Sequence, residues 1–307
     1  LPESDYYELD FWGKVFYHQA YQRLHYLTQN FPQAYRSAYR WVELFEQRPE
    51  MIQYNAPLYL KGLHQLLVVC FNLQRYDRFE TWYKVLLDFP EVYDFSNDTN
   101  VEGIYQLSYY NHALMGHFLT GTFEEGLALI PELNAIMEDN RYNWDDLRIL
   151  LFQYRIACTY FGAGDNDSAV DYLNEIINQR GPDNRSDIQA FARILNLIAH
   201  FELGNVQLVE YQVKSVYRFL SKMDDLQPAQ QAIFRFLRRV PRIREEDLRE
   251  AFIELRDHLN QIAEQPYLRR PFMYLDIIGW LTSKIEGIPV QEVIRRRFAE
   301  QRAAYID

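Results

Sequence analysis

The amino-acid sequence predicts an all-α fold in which antiparallel helical hairpins stack into an array, with a separate helical region after them. Three observations predict it. Apolar residues recur at helical spacing throughout, and no segment alternates in the manner of a strand. An internal register repeats five times. Turn signals alternate between tight connections and longer polar ones, as they do where helices fold back in pairs.

The register is carried by columns of residues. Tyr26, Phe71, Phe118, Phe161 and Phe201 follow one another at spacings of 45, 47, 43 and 40 residues. Three residues past each aromatic comes a turn column: Gln29, Gln74, Gly121, Gly164 and Gly204. Five residues later stand Ala34, Phe79, Gly126, Ala169 and Val209, and seven further on Trp41, Leu86, Leu133, Ile176 and Val216. Repetition at such a period is the signature of supersecondary units that bury their apolar faces only against one another.

In chain order, the array occupies residues 10–221. Pro32 fits the first turn of the second helix, where a missing N–H costs nothing. The tight turns within pairs are Asn72–Asp77, Thr120–Thr122, Gly162–Asp165 and Leu203–Asn205. The connections between pairs run from Gln47 to Pro57, Asp88 to Gly103, Glu138 to Asp146 and Asn178 to Asp187, and they collect Asn, Asp and Pro. Residues 228–307 form the C-terminal cap. There Leu248, Phe252, Leu255, Leu259 and Ile262 line one face of an amphipathic helix. Pro271 fits a first turn, and Gly287 with Pro289 ends one helix and starts the next. About fourteen helices are expected in all. The cap is expected to cover the apolar face of the hairpin at 187–221.

Composition excludes some functions. The 307 residues carry a net charge of −11, with 24 Tyr and 20 Phe. Charge is uneven: residues 228–307 hold 14 Lys and Arg against 12 Asp and Glu, leaving 18 against 31 for the rest. An acidic array argues against nucleic acid, whose phosphates require basic surface. Cys70 and Cys158 sit in apolar helical stretches of non-adjacent repeats and read as buried, unbridged thiols of a reducing compartment. No apolar run reaches the length of a membrane span and no leader segment is read, so a cytoplasmic location is expected.

The register resembles the tetratricopeptide repeat. Ala157, Tyr160, Gly164, Ala169, Leu173 and Ile176 follow the family's order of small residue, aromatic, glycine turn and small residue. Leu114, His117, Gly121, Phe123, Gly126 and Ile130 are the next match. The period here is longer than the family's length of about 34 residues. The family's tyrosine column reads His25, Cys70, His117, Tyr160 and His200. The stretch Tyr274–Glu286 is similar to the C-terminal end of uncharacterised tetratricopeptide-like proteins of Bacteroidetes-type bacteria, which implies no activity. The resemblance implies a right-handed superhelical α-solenoid that binds a protein or peptide in its concave groove. It places groove-facing candidates on the first helix of each hairpin: Lys61, His64, Asn111, Met115, Tyr154 and Arg155, with Phe16, Gln19 and Arg23 at the N-terminal end. Asn111 offers a donor and an acceptor to a peptide backbone, and Lys61 and Arg155 suit a carboxylate. The family's two-carboxylate clamp is not complete here, so chaperone tails are not the expected ligand.

Chemistry is sparsely signalled. The seven histidines lack a His-x-x-x-His pair, and His25, His117 and His200 fall in different repeats. Histidines hydrogen-bonded between helices are expected instead of a metal site. Asp94–Asn100 has the alternating oxygens of a calcium loop but Thr99 replaces its glycine and Tyr105 its closing glutamate, so it reads as a linker. No nucleophile elbow or phosphate loop is present, and no cofactor is expected. Trp144-Asp145-Asp146 is the one cluster that an all-α glycosidase could use, and it reads first as a helix start, with Asp near the positive end of the dipole. The Arg238-Arg239 cluster is offset by Glu245, Glu246 and Asp247 and reads as a salt-bridged surface. The expected function is therefore a non-catalytic scaffold. A peptide-sensing bacterial regulator and a glycosidase-like enzyme are the alternatives.

Overall fold

The structure is a computed structural model that describes residues 3–179, 186–222, 228–264 and 276–303. The described residues are all-helical, with no strand among them. Pro271, and Tyr274 and Leu275 at the start of the Tyr274–Glu286 stretch, lie outside the described residues. The chain divides into two compact units: Leu1–Leu119 with Asp139–Asn143, and Thr120–Glu138 with Trp144–Asp307.

The first unit holds α1 (Glu3–Glu8), α2 (Phe11–Leu27), α3 (Phe31–Glu46), α4 (Glu50–Tyr54), α5 (Ala56–Asn72), α6 (Tyr76–Leu87), α7 (Phe89–Val92) and nearly all of α8 (Thr99–Thr120). The short helices α1, α4 and α7 are not separately legible in the sequence, because they punctuate linkers. Helix α2 packs on α3, α3 on α5 and α5 on α6. Trp41, Val42 and Phe45 of α3 and Leu60, Leu63 and Leu67 of α5 are fully buried between them. Gly62 lets α5 approach closely, since a Cβ there would stand 3.2 Å from the Trp41 ring. The linker at Asp88–Gly103 is anchored by Phe89, which stacks on Tyr93, Phe95 and Tyr105.

The second unit holds α9 (Phe123–Gly126), α10 (Ile130–Asp139), α11 (Asp146–Ala163), α12 (Asn166–Asn178), α13 (Ser186–Glu202), α14 (Val206–Leu220), α15 (Pro228–Arg239), α16 (Glu245–Ala263), α17 (Ile277–Glu286) and α18 (Val290–Ala303). Helix α11 packs on α12, α12 on α13 and α13 on α14. Helix α15 then packs on both α13 and α14, α16 on α15, and α17 on α16. The last helix, α18, lies against α11, well before the hairpin at 187–221. Gln291 Nε2 donates to Glu124 at 2.9 Å, and the backbone of Gln291 and Arg295 closes on Gly121. Trp280 Nε1 and Lys284 Nζ share the carboxylate of Glu202, at 2.7 and 2.8 Å. The C-terminal helices thus bind several earlier helices of their unit and not the last hairpin alone.

The turn column has a common backbone form. Gln29, Gln74, Gly121, Gly164 and Gly204 all adopt the left-handed conformation, with φ of 55°, 54°, 72°, 87° and 73°. In four of these turns the next N–H reaches five residues back: Asn30 to His25 O, Arg75 to Cys70 O, Asp165 to Tyr160 O and Asn205 to His200 O, at 2.8–3.0 Å. This is the Schellman closure, which satisfies the carbonyls that a helix end leaves open. The following residue then starts the partner helix. Ala34, Phe79, Gly126, Ala169 and Val209 each donate their N–H to the carbonyl of the residue that directly follows the left-handed one. All five are buried, as are Trp41, Leu86, Leu133, Ile176 and Val216.

Candidate functional site

The first helices of the hairpins carry the candidate residues. Helix α5 begins where Asn55 accepts the N–H of Leu58 at 3.1 Å, with Pro57 in its first turn. That start fixes the phase of α5, so Lys61, His64 and Gln65 follow at i, i+3 and i+4 along one side. Helix α8 begins where Asp98 Oδ1 accepts the N–H of Val101 at 3.0 Å. Its long run places Asn111, His112 and Met115 in the interior.

Polar pairs tie these first helices side by side within the first unit. Gln22 of α2, buried, donates through Nε2 to Gln65 Oε1 of α5 at 3.0 Å. His64 Nδ1 of α5 and His112 Nε2 of α8 lie 3.0 Å apart, with ring centroids at 5.0 Å. His112 is completely buried and meets Phe79 edge-on. Asn111 Nδ2 donates to Met115 Sδ at 3.3 Å and lies 3.5 Å from His112 Nδ1. With His112 accepting at Nδ1 from Asn111, its Nε2 carries the proton and donates to His64 Nδ1. Such an arrangement orders the interface between α5 and α8.

The structure brings His64, Asn111 and Met115 together, with His112 as the partner that the sequence reading did not pair with His64. The pairing joins residues 48 positions apart, so no local pattern signals it. Lys61 is exposed and His64 half-buried, whereas Asn111 and Met115 are buried. Tyr154 and Arg155 belong to the second unit, on α11, where Tyr154 is buried and Arg155 half-buried. One turn on, burial pushes the Cys158 thiol up to about 12. On α2, Phe16 and Arg23 are exposed and Gln19 half-buried.

Other candidates resolve into structural roles. Asp145 caps α11: its Oδ1 accepts the Arg148 N–H at 2.9 Å and its Oδ2 pairs with the Arg148 guanidinium at 2.8 Å. Asp94 accepts from the Ser96 N–H at 3.0 Å, and Asp98 caps α8, so both carboxylates of that linker serve its own backbone. Among the described residues, no three His, Cys, Asp or Glu side chains gather as metal ligands. None of the described helices is long and apolar enough to cross a membrane.

No protein-family model matches the chain, and no curated protein or solved structure matches it.

Proposed function

We propose that this chain is a non-catalytic scaffold, a tetratricopeptide-like right-handed array whose first helices present a surface for a protein or peptide segment. The observation that carries the reading is the five-fold recurrence of one left-handed turn in register with one buried small or apolar column. A chain that repeats the same hairpin closure builds a periodic surface, and periodic helical surfaces suit extended partners. The Gln22–Gln65 and His64–His112 pairs support the assignment of the face, because they hold successive first helices side by side. On that face Lys61, Arg23 and Phe16 reach solvent and supply charge and apolar area, while His64 and Gln19 flank them. Asn111 and Met115 act from below by packing, while Tyr154 is buried on α11 within the second unit.

The test is site-specific photocrosslinking of the full chain in its native extract. Crosslinkers at Phe16 and Lys61 should capture a defined protein. Crosslinkers at Glu80 and Lys84, exposed on the second helix α6, should not. Capture from α6 alone would move the binding face to the outer helices and overturn the assignment.

A further inference from the structure

We propose that the groove between α14 and the end of α15 is a binding site for a short acidic segment of another protein. It stands apart from the first-helix surface and does not rest on that assignment. The groove has a volume of about 890 Å³. Glu210, Lys214 and Arg218 of α14 form one lip, at the i, i+4, i+8 spacing that puts them on one helix face. Arg238, Arg239 and Arg242, at and just beyond the end of α15, form the other. Between the lips lie Val213, Tyr217 and Ile243.

The charges do not balance. Glu210 is taken by Arg242, at 3.1 Å. Lys214, Arg218, Arg238 and Arg239 are exposed, and among the described residues none has a carboxylate within ion-pairing distance. Of the acids that follow the second lip, Glu246 and Asp247 pair with Arg244, at 2.5 and 2.8 Å. The residues Val240–Arg242 form a 3-10 turn after α15, and the acids lie beyond it in the first turn of α16. Like charges one helical turn apart, as at Lys214 and Arg218, destabilise a helix unless an anion sits between them. Four cations with no ion pair among the described residues, around one groove in a chain of net charge −11, mark a place where an anion belongs.

The dimensions select the kind of anion. A phosphate or sulfate would fill a small part of this volume. A nucleic-acid site neutralises on the order of 6–10 phosphates, more than these four cations supply. The α14 lip, eight helical rises from Glu210 to Arg218, is about 12 Å long. An extended chain covers that distance in about four residues. Side chains of an extended segment alternate, so carboxylates can meet the two lips while apolar neighbours rest on Val213, Tyr217 and Ile243. Tyr217 is held for this by stacking on Phe234 of α15 at 5.8 Å, and it remains 54% exposed.

The test uses the full chain and a fluorescent peptide of about eight residues that alternates Glu with Leu, long enough to span the lip. Anisotropy should show binding at low salt that fades by about 0.3 M, as screening shortens the reach of each charge. R238Q/R239Q and K214Q/R218Q should each weaken it about tenfold, since each removes charge-assisted hydrogen bonds. Their circular dichroism melts should match the parent, because the side chains removed are exposed and unpaired. Arg235→Gln, an exposed cation of α15 that does not line this groove, should leave binding unchanged. The proposal fails if the Glu–Leu peptide does not bind, or if its Lys–Leu counterpart binds as well. It fails equally if Arg235→Gln weakens binding as much as the groove variants, or if an oligothymidylate of equal charge binds more tightly.

Discussion

His18 shows what burial does to a single titratable group in this chain. Its Nε2 accepts from the Tyr6 hydroxyl at 2.8 Å. Burial first, and then the positive charge of Arg40, lower its pKa from 6.5 to about 4, against the opposing pull of Glu43. The unfolded chain takes up a proton below 6.5 that the folded chain refuses. The stability tied to neutral His18 is therefore complete above pH 6.5 and is lost as pH falls toward 4. His18→Gln keeps an acceptor for Tyr6 and removes the titration. The melting temperature of that variant should drop less between pH 7 and pH 4.5 than the parent's, by thermal denaturation followed at the helical band. Cys70 and Cys158 offer a second reading at this scale. Neither is in a disulfide, both are buried, and burial pushes each thiol up to about 12. Iodoacetamide at neutral pH should label neither in the folded chain and both in denaturant, as counted by mass spectrometry.

At the scale of the element, the hairpin turn is the unit that repeats, and its variants separate backbone strain from crowding. A Cβ on Gly164 would meet nothing within 4 Å, so Gly164→Ala should cost only the left-handed φ, about 1 kcal/mol. A Cβ on Gly121 would stand 2.6 Å from the Gln291 carbonyl oxygen and 2.8 Å from the Arg295 nitrogen. Gly121→Ala should cost distinctly more in a denaturant titration. Ala169, fully buried five residues past its turn, tests the packing column: Ala169→Leu should destabilise by about 1–3 kcal/mol through overpacking. An unchanged midpoint would detach Ala169 from the helix contact assigned to it. This scale is the one most legible in the sequence. A left-handed residue, a cap and a small buried residue are all local requirements, and glycine shows three of the turns directly. Gln29 and Gln74 were readable only by register, because nothing in a glutamine announces positive φ. The short helices α4, α7 and α9 were not readable, since four or five residues are too few to show a period.

For the whole molecule, what the sequence could not show is where distant elements meet. His112 and His64 become neighbours, and Arg239 and Lys214 come to line one groove, through helix crossings that no spacing encodes. The same limit applies to the C-terminal region. Its amphipathic pattern showed that residues 245–263 bury one face, and Phe252, Leu255, Leu259 and Ile262 do so. It did not show that α18 would lie on α11. Trp280 ties this region to Glu202 and packs against Phe201 and Phe252. Trp280→Ala should cost about 3–5 kcal/mol, the range for removing a large buried aromatic, in chemical denaturation of the full chain.

The bond from Gln291 to Glu124 spans 167 positions of sequence. In an open stack, each unit touches only its neighbours, so the last one frays first and folding can begin anywhere and spread. The second unit differs, because its final helix α18 is bonded to its first short helix, α9. Joining the two ends requires closing a very long loop, which slows assembly and ties the fate of every helix inside the loop to the joint. The amides of α18 should then exchange with solvent as slowly as those of α11, both through one cooperative opening. Hydrogen exchange read by mass spectrometry would show this as a single shared protection for the two helices. Early, separate release of α18 would show that the ring opens at its seam.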